Sequence, residues 1–151
     1  MVHRTYIGLG PPERAIGDFD TLTPWVRELR NLQAECERLG PDWQALAIPL
    51  DGLQTAAYHF TRRPDFYFQV EADVAPARRG NGRLRDPAEA AAAFVALRPC
   101  MDLLRKLQQR CRPYGRDYCA LDIPRQGLQT AAFHFTRDPQ LYAALPPTSF
   151  S

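Results

Sequence analysis

The chain contains one segment twice. Residues 43–64 recur as residues 118–139, and 15 of the 22 aligned positions are identical. A repeat of this length predicts a fold built from two copies of one unit, related by a pseudo-twofold axis. The 151 residues suit a single domain. We therefore expect one domain over 1–151, with repeat one at 1–67, repeat two at 68–151 and a connector at 75–86.

Two helical segments are predicted from their start signals. Thr23 followed by Pro24 opens an amphipathic pattern that continues to the Gly40-Pro41 stop. The second segment begins at Asp86 with a capping-box pattern and runs to about residue 111. Pro99 lies inside it and is expected to kink or divide it, which leaves open whether 87–98 is a separate helix.

The remaining segments are predicted to be strands. Asp51-Gly52 is typical of a two-residue hairpin turn, because both turn positions favour positive φ. The predicted strands are 3–9, 43–50, 53–62, 66–74, 117–124 and 128–137. The expected fold class is therefore α+β: duplicated β-α-β-β units form a pseudo-twofold antiparallel sheet with the helices on one face. A ferredoxin-like fold and a duplicated strand-helix-strand-strand fold both fit this description.

The predicted order of elements is similar to the gyrase-inhibitor-like ligand-binding fold, which also doubles a strand-helix-strand-strand unit. The similarity concerns element order and rests on no shared motif. It implies a small-molecule site lined by aromatic residues and a buried acid. No residue role is transferred from it, because a fold does not fix a function.

A ligand site is predicted on one face of the sheet. Strand alternation gathers aromatic, arginine and glutamine side chains on the face opposite the histidines, and an open apolar face usually marks a ligand site or an interface. The predicted ligand-binding residues are Trp43, Gln54, Tyr58, Phe60, Arg62, Tyr118, Asp122, Gln129, Phe133, Phe135 and Arg137. The leading hypothesis is a small-molecule-binding domain, and the alternative for this face is a protein–protein or accessory module.

His59 and His134 are the candidate catalytic residues. Histidine titrates near neutral pH and serves as acid, base or metal ligand, so a second alternative is an enzyme that uses the two histidines. The structural alternative is a core histidine bonded to a neighbouring polar group. Whether the chain is an enzyme stays open at this level, and no metal site is predicted because the four cysteines lack zinc-ligand spacing.

Charge and apolar patterning limit the partners. The net charge of +2, with both signs interspersed, argues against nucleic-acid binding, and no apolar stretch reaches the ~20 residues of a membrane span. No cofactor-binding motif is present, so we expect no cofactor. The expected partner is a small-molecule ligand or a protein, with a homodimer as one form of the latter. The expected location is the cytoplasm, with reduced cysteines.

Overall fold

The chain folds into helices. A computed structural model describes residues 6–73 and 83–143. The helices of these residues are, in chain order, α1 (Pro12–Asp20), α2 (Thr23–Ala34), α3 (Pro41–Thr61), α4 (Pro87–Ala96), α5 (Arg98–Gln109) and α6 (Arg116–Thr136). A short 3-10 turn at Arg83–Arg85 precedes α4. The α+β prediction is wrong, because the described residues contain no strand and therefore no ferredoxin-like or strand-helix-strand-strand sheet.

Each repeat is a three-helix unit. Helices α1, α2 and α3 stand at the same repeat positions as α4, α5 and α6, and α3 and α6 carry the duplicated segment. The helix predicted from Thr23 begins there, but Thr23 makes no capping hydrogen bond, and α1 was not predicted. Asp86 caps α4 by accepting a hydrogen bond from the Ala88 N–H at 2.9 Å, and the segment around Pro99 is divided at Leu97 into α4 and α5.

The segments predicted as paired strands form single long helices instead. In α3, residues at steps of three and four are buried, which is the helical period. These residues are Leu46, Leu50, Leu53, Ala57 and Phe60. All four hairpin strands are thus helical. Residues 6–9 and 66–73 form no strand either, while residues 3–5, residue 74 and residues 75–82 of the connector lie outside the described residues.

Gly52 does not turn the chain; it lets two helices touch. A Cβ added to Gly52 would lie 3.0 Å from the Cα of Pro124, and one added to Gly127 would lie 2.9 Å from the Cα of Pro49. Real Cβ atoms do not approach a neighbouring backbone so closely, so both glycines are required by the crossing of α3 and α6. The hairpin prediction failed because glycine serves close approach as well as positive φ.

Helices α3 and α6 form an antiparallel pair along their whole length. At the middle, Gly52 faces Pro124; near the ends, His59 contacts Asp117 and His134 contacts Asp42. The same stripe of the two helices carries small buried residues at steps of four and three, namely Ala45, Pro49, Gly52 and Ala56 in α3, and Ala120, Pro124, Gly127 and Ala131 in α6. Small residues allow helix backbones to pack closely.

The other helices cover one side of this pair. Phe60 of α3 stacks on Phe19 of α1 with ring centroids 5.6 Å apart, and Phe135 of α6 stacks on Phe94 of α4 at 5.5 Å. The hydrophobic core therefore lies between the central pair and the flanking helices. None of the helices described is both long and apolar enough to cross a membrane.

Candidate functional site

The predicted aromatic face does not exist. A helix distributes side chains every 100° rather than every 180°, so residues that would share one face of a strand point in different directions. The proposed ligand site on an open sheet face is therefore wrong, because the described residues contain no sheet. The residues predicted for that site fall into three separate groups.

The first group stabilises the fold. Phe60 and Phe135 stack in the core. Gln54 donates from Nε2 to the carbonyl of Pro64 at 2.7 Å, and its Oε1 accepts a hydrogen bond from the Tyr67 N–H at 3.1 Å. Gln129 repeats the first of these bonds with Pro139 at 2.9 Å. Both glutamines thus fasten the segment that folds back after the long helix.

The second group lies on the sides of the central pair. Trp43 is half-buried in repeat one beside α2, where Gln33 donates to its carbonyl at 3.1 Å. Its counterpart Tyr118 takes the same position in repeat two. Asp122 accepts hydrogen bonds from Gln108 and Gln126 at 3.4 and 3.3 Å.

The third group lies on the exposed side of α3 and α6. Tyr58 and Phe133 are 47% and 41% exposed, and Arg62 and Arg137 follow the last helical turn of α3 and α6. The two arginines adopt left-handed backbone conformations with φ of 62° and 59°. Arg137 also lies over the Phe133 ring, 5.7 Å from its centroid.

The two histidines lie at opposite ends of the helix pair. His59 Nε2 is 2.8 Å from Asp117 Oδ1, and His134 Nε2 is 2.8 Å from Asp42 Oδ1. Along the roughly 1.5 Å rise per residue of an α-helix, Asp42 and His59 are separated by about 25 Å. The two histidines therefore cannot share a metal ion.

Each histidine links the end of one long helix to the first turn of the other. This accounts for both residues as contacts that fix the register of α3 against α6. A catalytic role for His59 or His134 stays a prediction. Within residues 6–73 and 83–143, no three histidine, cysteine or acidic side chains converge as a metal site would require.

The exposed side of the central pair is a continuous surface, here called the outer face. Its residues recur at alternating steps of four and three in both helices. They are Gln44, Ile48, Asp51, Thr55 and Tyr58 of α3, and Cys119, Ile123, Gln126, Thr130 and Phe133 of α6. Members of both stripes line one shallow groove of about 530 Å³, so the stripes lie side by side. No flanking helix covers this groove in the part of the chain that is described.

The outer face combines apolar side chains with uncharged polar ones and one acid, Asp51. Ile48 and Ile123, near the middle of the outer face, are 45% and 46% exposed, so much of each side chain is not buried within the single chain. Neither isoleucine was predicted as a site residue, because the alternation of a strand would place both on the same side as the histidines. The signal was present: the exposed set repeats every three or four residues, which is the spacing of helices that pack on other helices.

Of the four cysteines, Cys119 alone belongs to the outer face. Cys36, Cys100 and Cys111 are buried free thiols, and Cys119 is an exposed one. Burial raises the pKa of the Cys36 and Cys100 thiols to about 12 and that of Cys111 to about 11. These thiols are protonated and unreactive near neutral pH.

Comparison with known protein families, with curated proteins and with solved structures finds no match for this chain. The surfaces described above are therefore the basis for proposing a function.

Proposed function

We propose that the chain is a helical protein-interaction module whose outer face associates with a second copy of the chain. The observation that carries this proposal is the exposure of Ile48 and Ile123 beside a groove, on two helices whose exposed residues have the spacing of a helix-packing seam. A second copy would bury both isoleucines between two pairs of long helices, one pair from each copy. This proposal takes the place of the predicted small-molecule site, which required a sheet.

Charge favours a second copy as the partner. Because α3 and α6 are antiparallel, a twofold axis lying along or across them brings antiparallel helices face to face. Each carboxyl-terminal arginine, Arg62 or Arg137, then meets an amino-terminal turn of the other copy, which carries Asp42 or Asp117. Opposite helix ends meet in both arrangements, and the one that places α3 against α6 also keeps Asp51 of the outer face apart from Asp51 of the other copy.

The proposed setting is the cytoplasm. Three buried free thiols support it, because oxidising compartments favour proteins whose cysteines are paired. Self-association through the outer face requires neither redox chemistry nor a cofactor.

Sedimentation equilibrium tests the proposal. The wild-type chain is expected to be a dimer, and an Ile48→Arg/Ile123→Arg variant is expected to be a monomer with unchanged helical circular dichroism. Val95→Arg is the matched control, because Val95 is 50% exposed on α4 and off the outer face. A monomeric wild-type chain at high concentration, or a dimer that survives the double substitution, overturns the proposal.

A further inference from the structure

Repeat one contains a groove between α2 and α3 that adjoins the outer face at Asp51. Two adjoining cavities, of about 570 and 360 Å³, share Arg30, Gln33 and Trp43 as lining residues. The larger cavity is completed by Ala34, Cys36, Arg38 and Ala72. The smaller one continues along α3 towards Asp51 and Gln54, and to Asp65 beyond the end of the helix. A cavity of this size suits a small organic molecule.

In the corresponding region of repeat two, side chains of the repeat itself pair with one another. Arg125 donates to Oε1 of Gln108, and the same guanidinium lies 3.6 Å from Asp122. Repeat one has Leu50 and Ala47 at the positions of Arg125 and Asp122. The two repeats therefore have the same backbone elements, but the arginine and aspartate that occupy this region in repeat two are missing from repeat one.

The substitutions leave hydrogen-bonding groups unused in repeat one. Gln33 corresponds to Gln108, and its Nε2 makes the same bond to a main-chain carbonyl. Its Oε1, however, has no guanidinium donor, because Leu50 replaces the arginine. Arg30 Nε is buried and has no hydrogen-bond partner among the described residues, while Nη2 of the same side chain donates to the Tyr67 carbonyl at 3.3 Å. Arg125 Nε of repeat two is also buried without a partner among these residues, but Arg125 lines neither of the two cavities. An unsatisfied buried donor is costly, and a ligand acceptor would satisfy it.

The charge of the region also differs between the repeats. In repeat two, Arg105 lies 3.7 Å from Asp102, one helical turn before it. In repeat one, Arg30 instead has Arg27 at that position, and Arg38 stands where repeat two has Pro113. These two changes remove an acid and add two arginines, whereas Glu35 and Glu37 stand where repeat two has Arg110 and Arg112. Neither glutamate lines the larger cavity.

The surroundings of Arg30 favour an added anion. Burial lowers the pKa of its guanidinium, and the charges of Asp51 and Glu71 oppose this shift from a distance, without a direct ion pair. The larger cavity is lined by two arginines and no carboxylate, so an anion bound there would meet only positively charged groups among the ionisable lining residues other than Cys36.

Trp43 adds a flat apolar wall. Its side chain lines both cavities between the arginine end and the acidic end, and an indole face binds planar rings. Asp51 and Asp65 repel a second anionic group at the far end. The arrangement selects a ligand with one anionic group at the arginine end and an uncharged planar ring beside Trp43.

From this arrangement we infer that the groove of repeat one binds a small aromatic anion, with its carboxylate or phosphate held by Arg30 and Arg38 and its ring against Trp43. Repeat two provides the internal comparison, since its own Asp122 and Arg125 pair with each other at the same place. Arg30, Arg38 and Trp43 are not residues of the outer face, so the inference does not rest on self-association.

Isothermal titration calorimetry with phenyl phosphate and with benzoate tests this inference on the whole chain. One of the two, or both, is expected to bind saturably with one molecule per chain, and the comparison shows which anionic group the site prefers. Benzyl alcohol and benzamidine are expected to show no saturable binding, because one lacks the anion and the other is cationic.

Two variants test the location of the site. Arg38→Gln changes an exposed side chain, and we expect it to weaken binding about tenfold, the effect of losing one charge-assisted hydrogen bond. Ala47→Asp/Leu50→Arg gives repeat one the side chains of repeat two and is expected to abolish binding while preserving helical circular dichroism. Arg112→Gln, on an exposed arginine of repeat two, is the control and is expected to bind as the wild type does. Three results would each overturn the inference: no saturable binding of both anions up to about 10 mM, equal binding of benzamidine, or wild-type affinity in Arg38→Gln.

Discussion

At the scale of single residues, most of the identities shared by the repeats have a structural explanation. Tyr67 donates from its hydroxyl to the Phe19 carbonyl at 2.7 Å, and Tyr142 makes the same bond to Phe94 at 2.5 Å. Each tyrosine is 1% exposed and ties the segment after a long helix to the first helix of its own repeat. Repeated residues therefore mark repeated packing, and the functional differences lie where the copies diverge.

The buried tyrosines predict a loss of stability at alkaline pH. Burial raises the pKa of Tyr67 and Tyr142 above the value of about 10 expected in the unfolded chain. Since the folded state then holds protons more tightly, the free energy of unfolding falls as the pH rises past about 10.

Tyr67→Phe should lower the free energy of unfolding by about 1 kcal/mol near pH 7 through its lost hydrogen bond. The loss should be smaller above about pH 10, where the wild type is itself destabilised. Urea unfolding at both pH values checks this, with Tyr114→Phe, 85% exposed, as control; a pH-independent difference would contradict it.

At the scale of helices, the sequence indicates starts and repeats better than it indicates the long central helices. Asp86 and Pro87 open α4 as their capping pattern predicts. Pro49 and Gly52 look like chain breakers, yet both lie inside α3 because they form its contact with α6. Local propensity could not reveal this, because the partner that makes glycine necessary is the other repeat. The outer face could not be predicted for the same reason, because the spacing of its residues is recognisable only once α3 is known to be a helix.

Replacing glycine by alanine should have opposite effects on stability at the helix crossing and away from it. Gly52→Ala and Gly127→Ala place a Cβ within 3.0 Å or less of the partner proline backbone, so each should lower the free energy of unfolding by about 1–3 kcal/mol despite the better helix propensity of alanine. Gly17→Ala in α1 meets nothing within 4 Å, and repeat two already has alanine at that position. It should stabilise by about 0.5–1 kcal/mol. Urea denaturation measures all three, and a neutral Gly52→Ala would show that the two helices are not in close contact.

At the scale of the whole molecule, the two repeats share one structural centre. The contact of α3 with α6 buries small residues contributed equally by both repeats, and the flanking helices of each repeat pack on its own long helix. Neither repeat can keep its long helix buried without the other. The chain should therefore unfold as one cooperative unit rather than as two.

Tryptophan position makes this cooperativity measurable. Trp25 and Trp43, the two tryptophans of the chain, both belong to repeat one, whereas Leu128 is fully buried in repeat two. Leu128→Ala should destabilise the chain by about 2–5 kcal/mol through lost burial and a cavity. In a cooperative molecule, the fluorescence of repeat one and the far-UV circular dichroism of the whole chain shift to the same lower urea midpoint. The protein concentration must be held constant, because association with a second copy adds to the apparent stability. Val95→Ala, on the exposed surface of repeat two, should leave the midpoint nearly unchanged. If Leu128→Ala lowers the circular dichroism midpoint but not the fluorescence midpoint, the repeats unfold separately and the contact between α3 and α6 is weaker than its geometry indicates.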